Sequence, residues 1–161
     1  MPITLKPMNE AEYAVFYQLS LESYADNLCR DGGFASREKA LAEAREEMAE
    51  LLPRGLETPR QFLLSVYDET QTPAGYLWYD LLGASKAFID DLMIFPDFRR
   101  RGYALEALRL LEETLQVPHI ALHVFEGNRA ARSLFEKAGY TCLKVERSQT
   151  GSVYMFKRIR G

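Results

Sequence analysis

The amino-acid sequence predicts an α/β domain with a mixed sheet, and two observations lead to this fold class. The first is a change of period: apolar residues recur at helical spacing from residue 13 to residue 52, whereas 62–68, 74–82 and 87–95 are short apolar runs. The second is that helical and strand-like segments alternate after these runs. Together they give the element order β-α-α-β-β-β-α-β-α-β-β.

Local signals set the boundaries of the N-terminal elements. Residues 3–6 alternate between apolar and polar and form a short first strand. Asn9 begins a capping-box pattern at the start of the first helix, and the Arg-Asp-Gly-Gly run at 30–33 breaks that helix. Ser36 is expected to cap the second helix. The proline-bracketed segment 53–59 is then a loop that leads into the first of the apolar strands.

The C-terminal half repeats the strand-to-helix alternation. Apolar residues from Ala104 to Leu115 recur at helical spacing, and residues 119–124 follow as a strand. Asn128 opens a short helix, and Gly139 fits the position just beyond its C-terminus. Two closing strands are expected at residues 141–146 and 152–159.

Length and composition favour one domain over residues 1–161 and exclude several protein classes. A chain of this length can bury about 70% of its unfolded surface, and 47% hydrophobic with 27% charged residues is typical of a globular protein. The pI near 5.5 argues against a nucleic-acid binder. The two cysteines, Cys29 and Cys142, are far apart and lack metal-ligand spacing. So few cysteines argue against a disulfide framework and favour a reducing cytoplasm. No apolar run is long enough for a membrane span.

Three arginines stand between an apolar strand and a helix, in the stretch IFPDFRRRGYA. The first amides of a helix have no internal acceptors and carry partial positive charge. Gly102 leaves room for a ligand to approach the backbone, and Arg99, Arg100 and Arg101 add formal charge. This arrangement predicts a site for a phosphate or pyrophosphate. The alternative is a solvated turn, and neither dinucleotide-binding nor P-loop glycine motif is present.

Two stretches of the chain resemble signatures of the GNAT superfamily of N-acyltransferases. IFPDFRRRGYA is similar to the acyl-CoA-binding motif V-x-P-x-x-[RQ]-x-x-G-x-[GA], and NRAARSLFEKAGY is similar to the second signature, N-x-x-A-x-x-[LF]-Y-x-x-x-G-F. The matching positions are Ile94, Pro96, Arg99, Gly102 and Ala104 in the first, and Asn128, Ala131, Leu134, Gly139 and Tyr140 in the second. The resemblance covers essentially the whole chain and implies a mostly antiparallel seven-stranded sheet flanked by about four helices.

The resemblance implies an N-acetyltransferase that transfers an acetyl group from acetyl-CoA directly to a primary amine of a small molecule or peptide. Amides of the arginine loop would hold the pyrophosphate, and the preceding strand would pair with the pantetheine arm. No metal, nucleic acid or membrane is implied, and a homodimer remains open. The implied cofactor-binding residues are Leu92, Met93, Ile94, Arg99, Arg100, Arg101, Gly102, Tyr103, Ala104, Asn128 and Phe135.

Two adjacent carboxylates in an apolar strand are the candidates for acid–base chemistry. Strict alternation predicts that Asp90 and Asp91 point to opposite faces, with Asp90 on the face of Leu92 and Ile94. Asp90 is therefore proposed as a base or relay, or alternatively a solvated position, and Asp91 as a structural residue. The weaker candidates for a base are Glu57 and Glu126.

Phe135 departs from the family pattern, which commonly has a tyrosine there as proton donor to the leaving thiolate. Phenylalanine cannot donate a proton, so no general acid is assigned. The thiolate could leave unassisted, another group could help, or the chain could be a non-catalytic acyl-CoA-binding or sensing module. A phosphate-binding interaction domain without coenzyme A is a further alternative. Tyr140 is expected at the edge of the core, and His119 and His123 are expected to be structural.

Overall fold

The computed structural model describes residues 3–143 and 152–161, and its elements follow the predicted order. The strands are β1 (Thr4–Pro7), β2 (Gln61–Tyr67), β3 (Pro73–Leu82), β4 (Lys86–Ile94), β5 (His119–Phe125), β6 (Thr141–Cys142) and β7 (Ser152–Arg158). The α-helices are α1 (Glu10–Asp31), α2 (Arg37–Leu51), α3 (Tyr103–Thr114) and α4 (Arg129–Lys137). The predicted α/β class is thus confirmed. Of the strand expected over 141–146, Thr141 and Cys142 are in β6 and Leu143 is not, and residues 144–146 lie outside the described part.

One seven-stranded sheet, in the order β1-β2-β3-β4-β5-β7-β6, organises the chain. All of its neighbouring strands are antiparallel except β4 and β5. These two pair in parallel from Lys86 opposite His119 to Ile89 opposite Leu122. Both strands continue beyond this ladder, β4 to Ile94 and β5 to Phe125, without further pairing to each other. The sheet therefore opens between them.

A β-bulge interrupts the ladder between β3 and β4 close to this opening. Trp78 lies opposite Asp91, but the next residue, Tyr79, lies opposite Ile89. Asp90 is the extra residue on β4 and has no partner on β3. A bulge of this kind inserts one residue and breaks the strict alternation of side chains along the strand.

Helices cover both faces of the sheet. On one face Leu77 and Ile89 pack with Leu108 and Leu111 of α3 and with Phe135 of α4. On the other face α1 and α2 bury the alternate residues of β3, and this cluster includes Phe16, Leu28, Met48, Tyr76 and Trp78. The alternation along β3 thus assigns Tyr76, Trp78 and Asp80 to the α1–α2 side.

Side-chain caps begin three of the four α-helices found in the described residues. The Asn9 side chain accepts from the Glu12 amide at 2.8 Å, and the Glu12 carboxylate accepts from the Asn9 amide at 3.0 Å, which confirms the predicted capping box. The side chains of Ser36 and Asn128 each accept from one first-turn amide of α2 and α4, whereas α3 begins at Gly102 with no side-chain cap. No helix in the described ranges has the length and apolarity to cross a membrane.

Phe16→Ala is expected to lower the free energy of unfolding by about 3–5 kcal/mol. The Phe16 ring is 1% exposed and meets Tyr76 edge-on at 4.9 Å and Trp78 at 5.6 Å, so truncation leaves a cavity between α1 and β3. Denaturant unfolding followed by fluorescence measures the change. Val15→Ala is the control, because Val15 is 50% exposed and should shift stability by at most about 0.5 kcal/mol. Equal effects of the two substitutions would contradict this packing.

Candidate active site

A cavity of about 980 Å³ lies where β4 and β5 part. Its walls come from α1, α2, β4, β5 and α4, and a groove of about 290 Å³ adjoins it at the start of α3. The residues that line both spaces are Ile94, Arg99, Ala104, Ala130 and Leu134. The two spaces are therefore one continuous opening from the arginine loop to the middle of β4.

The start of α3 is open to the groove. Gly102 has φ +79°, in the left-handed region that favours glycine, and a Cβ at this position would meet no atom within 4 Å. The amides of the first turn after it have no acceptors within the helix. Because no side chain caps these donors, the groove presents unpaired N–H groups together with the positive end of the helix dipole.

The three arginines of the loop have different surroundings. The Arg99 Nε donates to the carbonyl of Ile94 at 2.7 Å, which fixes its guanidinium at the junction of groove and cavity. Arg100 has φ +65° and lines the groove. Arg101 instead lies 5.5 Å from the Phe98 ring and donates to the carbonyl of Asp97 at 3.3 Å. The side chains of Arg99 and Arg100, but not that of Arg101, border the predicted anion site.

Other predicted cofactor-binding residues divide into core and cavity positions. Tyr103 is 5% exposed, and its ring packs in the cluster that joins α3 to β1 and β2. Asn128 lines the cavity while its side chain accepts from the Ala131 amide at 3.2 Å, so it both caps α4 and borders the opening. Leu92 and Met93 lie on the stretch of β4 that no longer pairs with β5, and both line the cavity.

Asp90 and Asp91 point to the same face of the sheet, so the prediction of opposite faces is wrong. Asp91 contacts Ser20 of α1 and Tyr76, and Asp90 interacts with Asp80, which also belongs to the α1–α2 side. The bulge at Asp90 causes this difference, because an inserted residue resets the alternation. Leu92 and Ile94, which were expected to share the face of Asp90, pack on the side of α3 instead.

Asp91 is a partly buried carboxyl with two hydroxyl partners. Its Oδ2 accepts from Ser20 Oγ at 2.6 Å and from the Tyr76 hydroxyl at 3.0 Å. Burial raises the pKa of Asp91, and the two hydroxyl donors oppose that rise. These bonds tie α1 to the centre of the sheet, and they support the structural role that the sequence suggested.

Asp90 and Asp80 form a close pair of carboxyls, of which Asp80 is buried and Asp90 is partly buried. Asp80 is 8% exposed, and its Oδ1, like Oδ2 of Asp90, has no hydrogen-bond donor among the described residues. Burial, followed by the charge of Asp80, raises the pKa of Asp90 to about 9. Burial also raises the pKa of Asp80. Sequence reasoning missed Asp80, although a lone aspartate within the apolar run of β3 was a signal that could have found it.

Phe135 borders the cavity but belongs to the core. It is 5% exposed and meets the Tyr140 ring edge-on at 5.4 Å. The Tyr140 hydroxyl donates to Glu112 of α3 at 3.1 Å, and burial raises the pKa of Tyr140. Tyr140 is 2% exposed and faces α3 from within the core, deeper than the edge position that the sequence suggested, and it does not line the cavity.

The α1–α2 end of the cavity is acidic and aromatic. Glu43 and Glu47 of α2 line it, and the Tyr24 hydroxyl donates to Glu47 at 2.5 Å. His123 lies at the opposite wall on β5, where burial lowers its pKa. Among residues 3–143 and 152–161, no group of three or more His, Cys, Asp or Glu side chains is arranged to hold a metal ion.

Comparisons with known proteins agree with this architecture. The sequence model of the acetyltransferase (GNAT) family matches residues 21–140. The uncharacterized N-acetyltransferase YycN of Bacillus subtilis is 31% identical over 146 residues, which are 87% of this chain and 93% of YycN. Its crystal structure has a TM-score of 0.82 at 30% identity, covering 91% of this chain and 96% of that chain. The predicted GNAT-like fold is confirmed.

Two further relatives are more distant. The uncharacterized N-acetyltransferase YdgE of Bacillus subtilis is 28% identical over 151 residues, covering 90% of this chain and 96% of YdgE. The spermidine N-acetyltransferase of Vibrio cholerae, solved in complex with CoA and spermine, has a TM-score of 0.66 at 15% identity. That alignment covers 97% of this chain and 95% of the other, and it shows the shared fold alone.

Asp90→Asn is expected to flatten the pH dependence of the unfolding free energy between pH 7 and pH 9. The pKa of Asp90 rises from its ordinary 3.8 to about 9 on folding, so the folded chain holds one more proton than the unfolded chain in this range. Stability therefore falls as the pH rises, by at most about 1.4 kcal/mol per pH unit. Denaturant unfolding at a series of pH values measures the slope.

Glu69→Gln is the control for this pH series, because Glu69 is exposed in the turn between β2 and β3. It should keep the slope of the wild-type chain. If Asp90→Asn and the wild type lose stability in parallel up to pH 9, Asp90 does not hold a proton in the folded state.

Proposed function

Because the chain belongs to the acetyltransferase (GNAT) family and is an acyltransferase, we propose that it transfers the acetyl group of acetyl-CoA to a primary amine of a small molecule or a peptide. The observation that carries the proposal is the continuous opening from the start of α3, between β4 and β5, to Asp90. A CoA thioester is long, with its anionic groups remote from its reactive carbonyl. It needs a path of this kind.

The groove at α3 fits the pyrophosphate end of the cosubstrate. The first-turn amides after Gly102 and the side chains of Arg99 and Arg100 would hold the anion, and the open space at Gly102 leaves room for it. In this proposal Arg101 and Tyr103 contribute backbone amides, because their side chains contact Phe98 and the core. The Vibrio cholerae relative of the same fold was crystallised with CoA, which supports CoA as the ligand here.

The unpaired stretch of β4 fits the pantetheine arm. A strand edge without a neighbour presents N–H and C=O groups that an extended amide-containing ligand can pair with, as in strand addition. Leu92 and Met93 offer this edge, and Asn128 and Phe135 face the same opening. The Ile94 carbonyl already accepts from Arg99, so we expect the ligand to pair mainly with the residues before it.

The acidic end of the cavity fits an amine acceptor. A primary amine near pKa 10.4 enters as a cation at neutral pH, and Glu43, Glu47 and Asp90 supply negative or ionisable oxygens along its path. The amine must lose a proton before it attacks, and Asp90 is the carboxyl at the opening between the strands that can take part in this transfer. The N–C bond then forms, the C–S bond breaks, and CoA leaves as the thiol or thiolate.

Acetyl-CoA is expected to raise the melting temperature of the wild-type chain, and Gly102→Glu is expected to abolish this shift. The substitution places a carboxylate in the groove, where it repels the pyrophosphate and fills the space that the ligand needs. A thermal-shift titration with acetyl-CoA measures both effects.

Gly83→Glu is the matched control for this titration. Gly83 has φ +68°, and a Cβ at this position would meet no atom within 4 Å, as at Gly102, but Gly83 lies outside the groove and the cavity. The two variants carry similar backbone strain, and only Gly102→Glu should lose the ligand-induced shift. A shift retained in Gly102→Glu would contradict the proposed anion site.

Asp90→Asn is expected to lower kcat for acetyl transfer by about 10²-fold, the usual contribution of a general base or relay. The assay follows release of the CoA thiol across a panel of primary amines and short peptides. Glu57→Gln is the control, since Glu57 lies in the turn Gly55–Glu57 away from the cavity and should leave kcat unchanged. Binding of acetyl-CoA without thiol release for any acceptor would support a binding or sensing module instead.

A further inference from the structure

The bulge on β4 brings two carboxyl groups together in a buried place. It turns Asp90 out of the ladder and against Asp80, which alternation on β3 places on the same face. One oxygen of each group is buried without a donor among the described residues. A buried acceptor without a donor is unfavourable, and two adjacent carboxylates cannot both keep a full negative charge in such a place. A proton between the two groups removes both penalties.

We propose that Asp80 is a positioning residue for Asp90, and that the two carboxyl groups hold a single proton between them at neutral pH. With one proton the pair carries one negative charge, and the protonated oxygen becomes the donor that the neighbouring carboxylate lacks. The chemical use of this proton rests on the proposed acetyl transfer, whereas its presence can be tested without any activity.

The surroundings of the pair contain few charges that would compete for this proton. The Arg60 guanidinium favours the charged form of Asp80, but its Nε and Nη2 atoms already donate to the carbonyl of Leu81. Gln61 contacts Asp80 and is neutral, while the charge of Asp91 disfavours a second negative charge on Asp90. The other titratable or charged groups that line the cavity are Tyr24, Glu43, Glu47, Arg99 and His123.

The pair can supply both proton transfers of the reaction. Formation of the N–C bond requires the amine nitrogen to give up a proton, and cleavage of the C–S bond leaves a sulfur that takes one up. The amine cation first loses one proton to solvent. When the shared proton lies on Asp80, the carboxylate of Asp90, which lines the cavity, accepts the second proton from nitrogen. Asp90 then donates a proton to sulfur, so the pair ends each turnover with one proton, as it began. Phe135 has no proton to donate, and the pair thereby provides the general acid that this position lacks.

Carbon-13 NMR of the aspartate side-chain carboxyls tests the shared proton directly. In the wild type the Asp90 carboxyl is expected to titrate near pH 9. In Asp80→Asn this titration should move down by at least about 2 pH units, because the like charge is gone and the amide can donate to Asp90. Asp80→Glu should restore a high value. A merely structural role of Asp80 would not move the titration of Asp90.

Asp68→Asn is the control for the NMR titration. Asp68, like Asp80, is a buried aspartate, with 7% of its surface exposed. It lies in the turn that follows β2, where its carboxylate accepts from Thr70 and Thr72. This variant should leave the Asp90 titration unchanged. An Asp90 carboxyl that titrates near its ordinary pKa in the wild type, or that keeps its high value in Asp80→Asn, would overturn the proposal.

Thiol release from acetyl-CoA provides the kinetic readout for the same variants. Asp80→Asn is expected to lower kcat by about 10²-fold at neutral pH while changing KM for acetyl-CoA by less than about twofold. Equal kcat values in Asp80→Asn and the wild type would overturn the acid–base role of the pair. If no amine is acetylated while NMR shows the shared proton, the proposed function fails and the pair stands. If transfer proceeds while the two carboxyls titrate independently, this inference fails and the function stands.

Discussion

The parallel pairing of β4 with β5 ends after four residue pairs, and the rest of the site depends on this parting. The sheet remains in one piece because β4 stays paired with β3 as far as Ile94 and β5 stays paired with β7 as far as Phe125. Each strand thus keeps one satisfied edge and exposes the other. Backbone groups on an exposed edge need partners, which water or an extended ligand can supply. The same gap admits a ligand from the α3 groove to the acidic cavity.

A single inserted residue explains why the middle of β4 carries chemistry as well as packing. Asp91 is satisfied by hydroxyls of α1 and β3, whereas its neighbour Asp90 meets another carboxyl and keeps one buried oxygen without a donor among the described residues. Identical side chains in adjacent positions therefore have different proton affinities because of their partners. Burying unsatisfied carboxyls costs stability, and proteins retain such costs mainly where the groups serve a function.

Features that depend on local sequence could be predicted, and features that depend on strand register could not. The capping box at Asn9 and the uncapped start of α3 at Gly102 follow from residue type and spacing alone. The common face of Asp90 and Asp91 required knowledge of the bulge, which arises from pairing with β3 and has no reliable local signature. The contact with Asp80 joins residues on two strands, and composition does not reveal which pairs meet. The contact of Arg101 with Phe98 also depends on tertiary structure, because residue type alone does not distinguish Arg101 from Arg99 and Arg100.

The missing cap of α3 has a consequence for attempts to stabilise this protein. An engineer who compared the four helices would choose position 102 first, because Asn or Asp there tolerates a positive φ and could cap the first turn for about 1 kcal/mol. That side chain would occupy the donors which the proposed cosubstrate requires. The uncapped helix start therefore lowers the stability of the chain without ligand but leaves the donors free for a ligand. Selection for thermostability in the absence of acetyl-CoA would favour substitutions that remove the binding site.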